Sequence, residues 1–270
     1  SSGIMAGNRN SIFGNYAIIV GGDANVAMST GVFIGGGAHN TAEGTGTAVT
    51  GGLRNTVAAA ANFSTISGGD YNRIVDGHHS VISGGSTNRI DAAPFATIGG
   101  GSSNTVEGTG SVISGGQHHS LSGGEYFVIG GGFQNTAEAN YAFVGGGRDN
   151  SCHGDEAVIG GGSFNIILGF QSVIAGGASN KNSGENGVVG GGESNTVSGS
   201  NAVIAGGHDN ICMATQRSLA EANLTLLEVK GPSLPVGSAM LCLVNCPPLE
   251  VGSATEFQSS PPIAPSVVGQ

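Results

Sequence analysis

Residues 195–207 read Asn195-Thr196-Val197-Ser198-Gly199-Ser200-Asn201-Ala202-Val203-Ile204-Ala205-Gly206-Gly207, and three residues further on stands Asn210. The second Gly of the pair serves as a register mark, and the same phrase then recurs at Gly7, Gly22, Gly37, Gly52, Gly69, Gly85, Gly101, Gly116, Gly132, Gly147, Gly162, Gly177, Gly192 and Gly207. Nine of the 13 spacings are 15 residues, three are 16 and one is 17. Three residues before every mark the residue is Ile or Val. Three residues after it Asn stands in 13 of 14 cases, with His119 the exception. Helix-pair repeats need about 33 residues or more, so a period of 15 is too short for them. It fits one coil of an all-β parallel β-solenoid, or β-roll, of about 14 coils in residues 1–212. Each coil is expected to hold two short strands of three or four residues. The Gly pair turns the chain between them, because Gly accepts the positive φ that a β-branched residue does not. Fourteen coils at the usual strand spacing of about 4.8 Å extend roughly 65–70 Å.

Composition agrees. Gly accounts for 52 of 270 residues, only 10% are charged, and Trp is absent. A layered enzyme core draws on large apolar side chains that this chain lacks, and collagen would place Gly at every third position. The apolar share of 38% and the low charge also separate it from disordered chains. Eight Lys and Arg against 18 Asp and Glu give a net charge of −10, which argues against nucleic acid and anionic membranes as partners. No apolar run of about 18 residues could span a bilayer as a helix. Ser1-Ser2-Gly3 shows no basic segment leading into an apolar one, so a secretory leader is expected to lie outside this sequence.

Stacking sets like residues above like. The Ile/Val column becomes an inward ladder. The Asn column is expected to be an amide ladder running along the axis; the alternative is that Asn favours a left-handed turn there. The residue before each Ile/Val points the other way, and this column is mostly apolar: Ile18, Phe33, Val81, Val112, Val128, Phe143, Val158, Val173, Val188 and Val203. Such a stripe marks an interface. Burying ten of these side chains is worth on the order of 15–30 kcal/mol before association costs. The expected occupant is the protein itself, as a homotrimer or a head-to-tail filament; the alternative is that the C-terminal tail folds over the stripe. The pattern already runs at Ile4 without a polar cap, which raises either missing upstream repeats or completion by another molecule.

Two stretches, Ser111-Val112-Ile113-Ser114-Gly115-Gly116 and residues 195–204, resemble the head repeats of trimeric autotransporter adhesins. The resemblance covers residues 1 to about 212. It implies a left-handed parallel β-roll with three chains side by side at a cell surface. The repeat here is usually one residue longer than in that family, with Gly doubled and Val and Ile adjacent.

Residues 213–270 hold seven of the eight Pro and four Gly, and are expected to form a cap and an extended docking or connector arm. A capping box at Ser218–Glu221 could start a short helix. Strand-like pieces lie at 239–244 and 249–253. Cys152 and Cys212 share one phase four coils apart, roughly 19 Å, beyond disulfide reach of each other. A structural disulfide therefore draws on Cys242, Cys246 or another chain, and buried free thiols are the alternative. Asn62 and Asn223 head Asn-x-Ser/Thr sequons, Asn62 beside an Ala58–Ala61 insert expected to bulge outward. His78-His79 and His118-His119 fall at different phases, so no metal site is expected from them. Neither catalytic residues nor a cofactor are expected. The position after Asn carries Thr41, Thr56, Thr105, Thr136 and Thr196, but Arg73, Arg89, Lys181 and Ile166 interrupt it, which weakens an ice-binding reading. The sequence thus points to a structural subunit of an extracellular fibre or surface appendage. The alternatives are an adhesin head that binds a host or matrix ligand and, further off, an ice-binding solenoid.

Overall fold

The computed structural model describes residues 1–213, 223–228 and 241–246. Among them there is no helix. The chain winds through 14 coils, each contributing one strand to each of two parallel sheets. The odd-numbered strands run from β1 (Gly3–Ile4) to β27 (Ala202–Ile204), and the even-numbered strands from β2 (Ser11–Ile12) to β28 (Ile211–Cys212). Register follows the repeat: Ile4 pairs with Ile19, and Val189 with Ile204.

The strands are shorter than expected, two residues in nearly every case. A third ladder takes up the remaining extended backbone. Single-residue parallel bridges follow each mark Gly, from Asn8–Asp23 to Glu193–His208. Each coil therefore has three short sides and bends between them. The first bend uses the mark Gly, with φ of 81–102°. The second places the residue before Asn in the left-handed region, from Arg9 (φ 53°) to Asp209 (φ 55°). Asn itself does not adopt positive φ, so the turn-former explanation of the Asn column fails. Its role is to satisfy backbone. The Oδ1 of Asn165 accepts the Asn180 N–H at 3.0 Å, while its Nδ2 donates to the carbonyls of Gly161 and Gly177, both at 3.0 Å. Direct amide-to-amide bonds occur at only some steps, such as Asn180 Nδ2 to Asn165 Oδ1 at 3.1 Å. The ladder is thus mainly side chain to backbone, which answers the requirement that buried polar groups in tight bends find partners.

The core is two columns wide. Ile19, Ile34, Val49 and their successors through Ile204 are fully buried from the odd sheet. Ala27, Ala42, Val57 and Ile74 through Val197 face them from the even sheet. Small residues dominate the bend between the sheets, with one exception. Phe127 is fully buried there, in space left by Gly108 and Gly124, where an added Cβ would lie 2.6 and 2.7 Å from its ring. In β24 (Lys181–Asn182) a polar residue enters the core. Asn182 is satisfied locally, its Nδ2 donating to the Val173 carbonyl and its Oδ1 accepting the Gly184 N–H, both at 3.2 Å.

Beyond β27 the odd sheet gains two antiparallel strands from the tail, β30 (Leu241–Cys246) and then β29 (Asn223–Glu228). They extend the end of that sheet and do not cross its outer face. The short helix expected at 218–221 and the strand-like piece at 249–253 lie outside the described residues.

Candidate functional site: an uncharged sheet face

Two columns point outward from the odd sheet, one on each side of the buried Ile/Val. The first is the apolar stripe. Ile18, Phe33 and Phe143 are 38–40% exposed; Val81, Val112, Val128, Val158, Val173, Val188 and Val203 are half-buried by their neighbours along the ladder. Gly3, Ala48, Thr65 and Thr97 complete it without introducing charge. The second column was not singled out from the sequence. It follows the Ile/Val and consists of small residues in nearly every coil, among them Gly35, Ser67, Ser114, Gly145, Gly160 and Ala205. The two columns together form a ridge beside a shallow groove. Through all 14 coils neither outward position holds an Asp, Glu, Lys, Arg or His.

Charge lies elsewhere. The even sheet presents Arg73, Arg89 and Lys181 outward. Its flank carries Asp91, paired with Arg89, and Glu138, 3.0 Å from His153. The bridge ladder and the bend after it carry Arg9 and Asp23, 2.5 Å apart, and Arg148, stacked on Phe164 at 5.0 Å and ion-paired with Asp149 at 3.2 Å.

The far turn of each coil has a second left-handed position that the sequence reading missed. Gly occupies it at Gly31, Gly46 and Gly110, aromatic residues at Tyr16, Phe63, His79, Phe95, Tyr126 and Tyr141, and polar residues at Glu156, Gln171, Asn186 and Asn201. Their rings stack along the axis: Phe63 on His79 at 5.2 Å, His79 on Phe95 at 5.3 Å, and Tyr126 on Tyr141 at 5.4 Å. The Phe63 ring lies over Gly46 and the Tyr126 ring over Gly110, so close that a Cβ there would stand 2.7 Å from a ring carbon. The signal was a run of aromatic residues at one phase from residue 16 to residue 141, interrupted by Gly and followed by Glu156, Gln171, Asn186 and Asn201. His78 meets His79 and Phe95 edge-on.

The remaining sequence candidates fall in ordinary structural places. His119 occupies the Asn column and copies its hydrogen bonding: its N–H donates to Asn104 Oδ1 at 3.0 Å, and its Nδ1 accepts the Asn135 N–H at 3.1 Å. Its buried Nε2 faces the Gly132 carbonyl without a well-formed hydrogen bond. Burial holds this imidazole below its ordinary pKa, and neighbouring His118 adds a smaller push in the same direction. Cys152 is a buried free thiol whose Sγ lies 3.7 Å from the Ala157 carbonyl, and burial pushes its pKa up to about 12. Cys212 is disulfide-bonded, with its partner's side chain outside what is described. Nothing is described of the side chains of Cys242, Cys246 and Asn223. Asn62 is half-buried, and its Oδ1 accepts the Thr45 N–H at 2.8 Å. The neighbouring insert closes as a turn in which Ala59 and Ala60 face solvent and Ala61 packs inward. Among the described residues no three His, Cys, Asp or Glu side chains gather as a metal site, and no helix is long and apolar enough to cross a membrane.

Neither protein-family models nor curated proteins match the chain.

Proposed function

We propose that this protein is a structural subunit of an extracellular fibre or surface appendage, and that it self-associates through the outer face of its odd sheet. One observation carries the reading: a half-exposed apolar column runs the length of the solenoid beside a column of small residues, with no charge in either. A solvated sheet face ordinarily presents polar and charged side chains, the apolar ones alternating to the buried face, and large exposed apolar patches on soluble proteins mark contact surfaces. The scaffold suits the role. Every coil is tied to the next through three backbone ladders and the Asn column, so the body behaves as a stiff rod of roughly 65 Å.

Electron microscopy of the purified full chain tests this. Rods joined side by side or into longer polymers support it. Isolated single rods at micromolar concentration contradict it. In a companion experiment, Val158→Glu with Val173→Glu places two carboxylates in the stripe without touching the core, and is expected to abolish the joined species while leaving the β-type circular dichroism unchanged.

A further inference from the structure

Accepting that reading, we infer that the contact is a two-fold pair of this chain with itself, packed face to face with both solenoids running in the same direction. The ridge and the groove fix the geometry. Val112 and Ser114, Val158 and Gly160, and Val188 and Gly190 each flank one buried Ile or Val at the end of an odd strand, large beside small. Two such faces can be related in two ways. A two-fold parallel to the solenoid axis turns one face onto the other and exchanges left for right, so the ridge of each chain lies over the groove of its mate in the same coil. A two-fold across the axis sets ridge on ridge and leaves groove facing groove, which opens voids that a packed interface does not tolerate. Only the parallel pair fills space.

In two coils the groove is already occupied. Phe33 and Phe143 lean across their own Gly35 and Gly145, each with a ring carbon 3.4 Å from where a Cβ would stand. Packed sheets lie about 10 Å apart, which leaves room for the two copies of each ring to stack flat in the middle of the interface.

Size and charge agree with a pair. The face is about 65 Å long and about 10 Å wide, so two copies bury on the order of 1,300 Å², within the range of stable interfaces. A cyclic trimer requires two different faces on every chain. The other two sides carry Arg73, Arg89 and Lys181, or Asp23 and Arg148, and taking charged groups out of water is costly even where they are ion-paired. One uncharged face serves one isologous contact.

The test is site-specific photocrosslinking of the full chain, with p-benzoylphenylalanine placed at Phe33, whose exposed ring it extends by a benzoyl group, or at Val188. An equal mixture of light and nitrogen-15 chains marks crosslinks between molecules as mixed-isotope peptide pairs. The expected result is a crosslinked product at twice the chain mass, with Phe33 joined to the 33–35 region of the partner and Val188 to the 188–190 region. Two outcomes overturn the parallel pair while leaving self-association standing: Phe33 joined to coils near the opposite end, or a product at three times the chain mass. Crosslinks confined to the same chain, including its own 213–270 segment, overturn both.

Discussion

At the residue scale, the two members of each Gly pair do different work. Gly162 holds φ +87°, and a Cβ there would stand 2.1 Å from the Gly177 carbonyl oxygen of the next coil. A Cβ on Gly161 beside it would meet nothing within 4 Å. Gly162→Ala is therefore expected to cost about 3 kcal/mol or more, and Gly161→Ala less than about 1 kcal/mol, in urea unfolding. Equal costs would contradict the turn geometry. His119 gives a pH prediction. Its Nδ1 must be unprotonated to accept the Asn135 N–H, and burial depresses its folded pKa. A depressed folded value means that this stabilising contribution is present in full above about pH 6.5, the ordinary imidazole value, and is lost as pH falls through the folded value. His119→Asn restores the repeat residue and is expected to remove this acid-side loss from the stability curve. The Cys152 thiol, with its pKa raised to about 12, is expected to resist alkylation at pH 8 in the native protein and to react on unfolding, as read by peptide mass spectrometry.

At the element scale, the ladder is the unit of stability, because each strand of two residues has meaning only through its neighbours one coil away. Phe127 shows how a ladder absorbs an exception: Gly108 and Gly124 withdraw to admit one large ring. Phe127→Ala should leave a cavity and cost about 3–5 kcal/mol in the same unfolding measurement. Much of this scale was legible beforehand, since a strict phase for Ile/Val, Gly-Gly and Asn dictates both the coil and the inward column. The bridge ladder was not, because single-residue pairings leave no hydrophobic alternation to read. Nor was the left-handed residue at the second bend, where Arg, Tyr, Ser and Asp all occur and no residue preference marks it. The outward stripe was readable from the alternation of one strand. Its companion column of Gly, Ser and Ala looked like turn material, and only the fold places it beside the stripe on a single face.

At the scale of the whole molecule, charge is sorted by side. In the 14 coils, Asp, Glu, Lys and Arg gather on the even sheet, the bridge ladder and the turns, and the outward face of the odd sheet carries none. A rod with one such face is expected to associate through it, and the association should withstand added salt, because no ion pairs contribute to it. Sedimentation equilibrium of the full chain at tens of micromolar, beside the Val158→Glu, Val173→Glu variant, measures this most directly. The account predicts a wild-type mass at least twice the 26.4 kDa of one chain, unchanged by salt, and a folded variant at the single-chain mass. A wild-type protein that sediments as one chain, or a variant that associates as the wild type does, would contradict it.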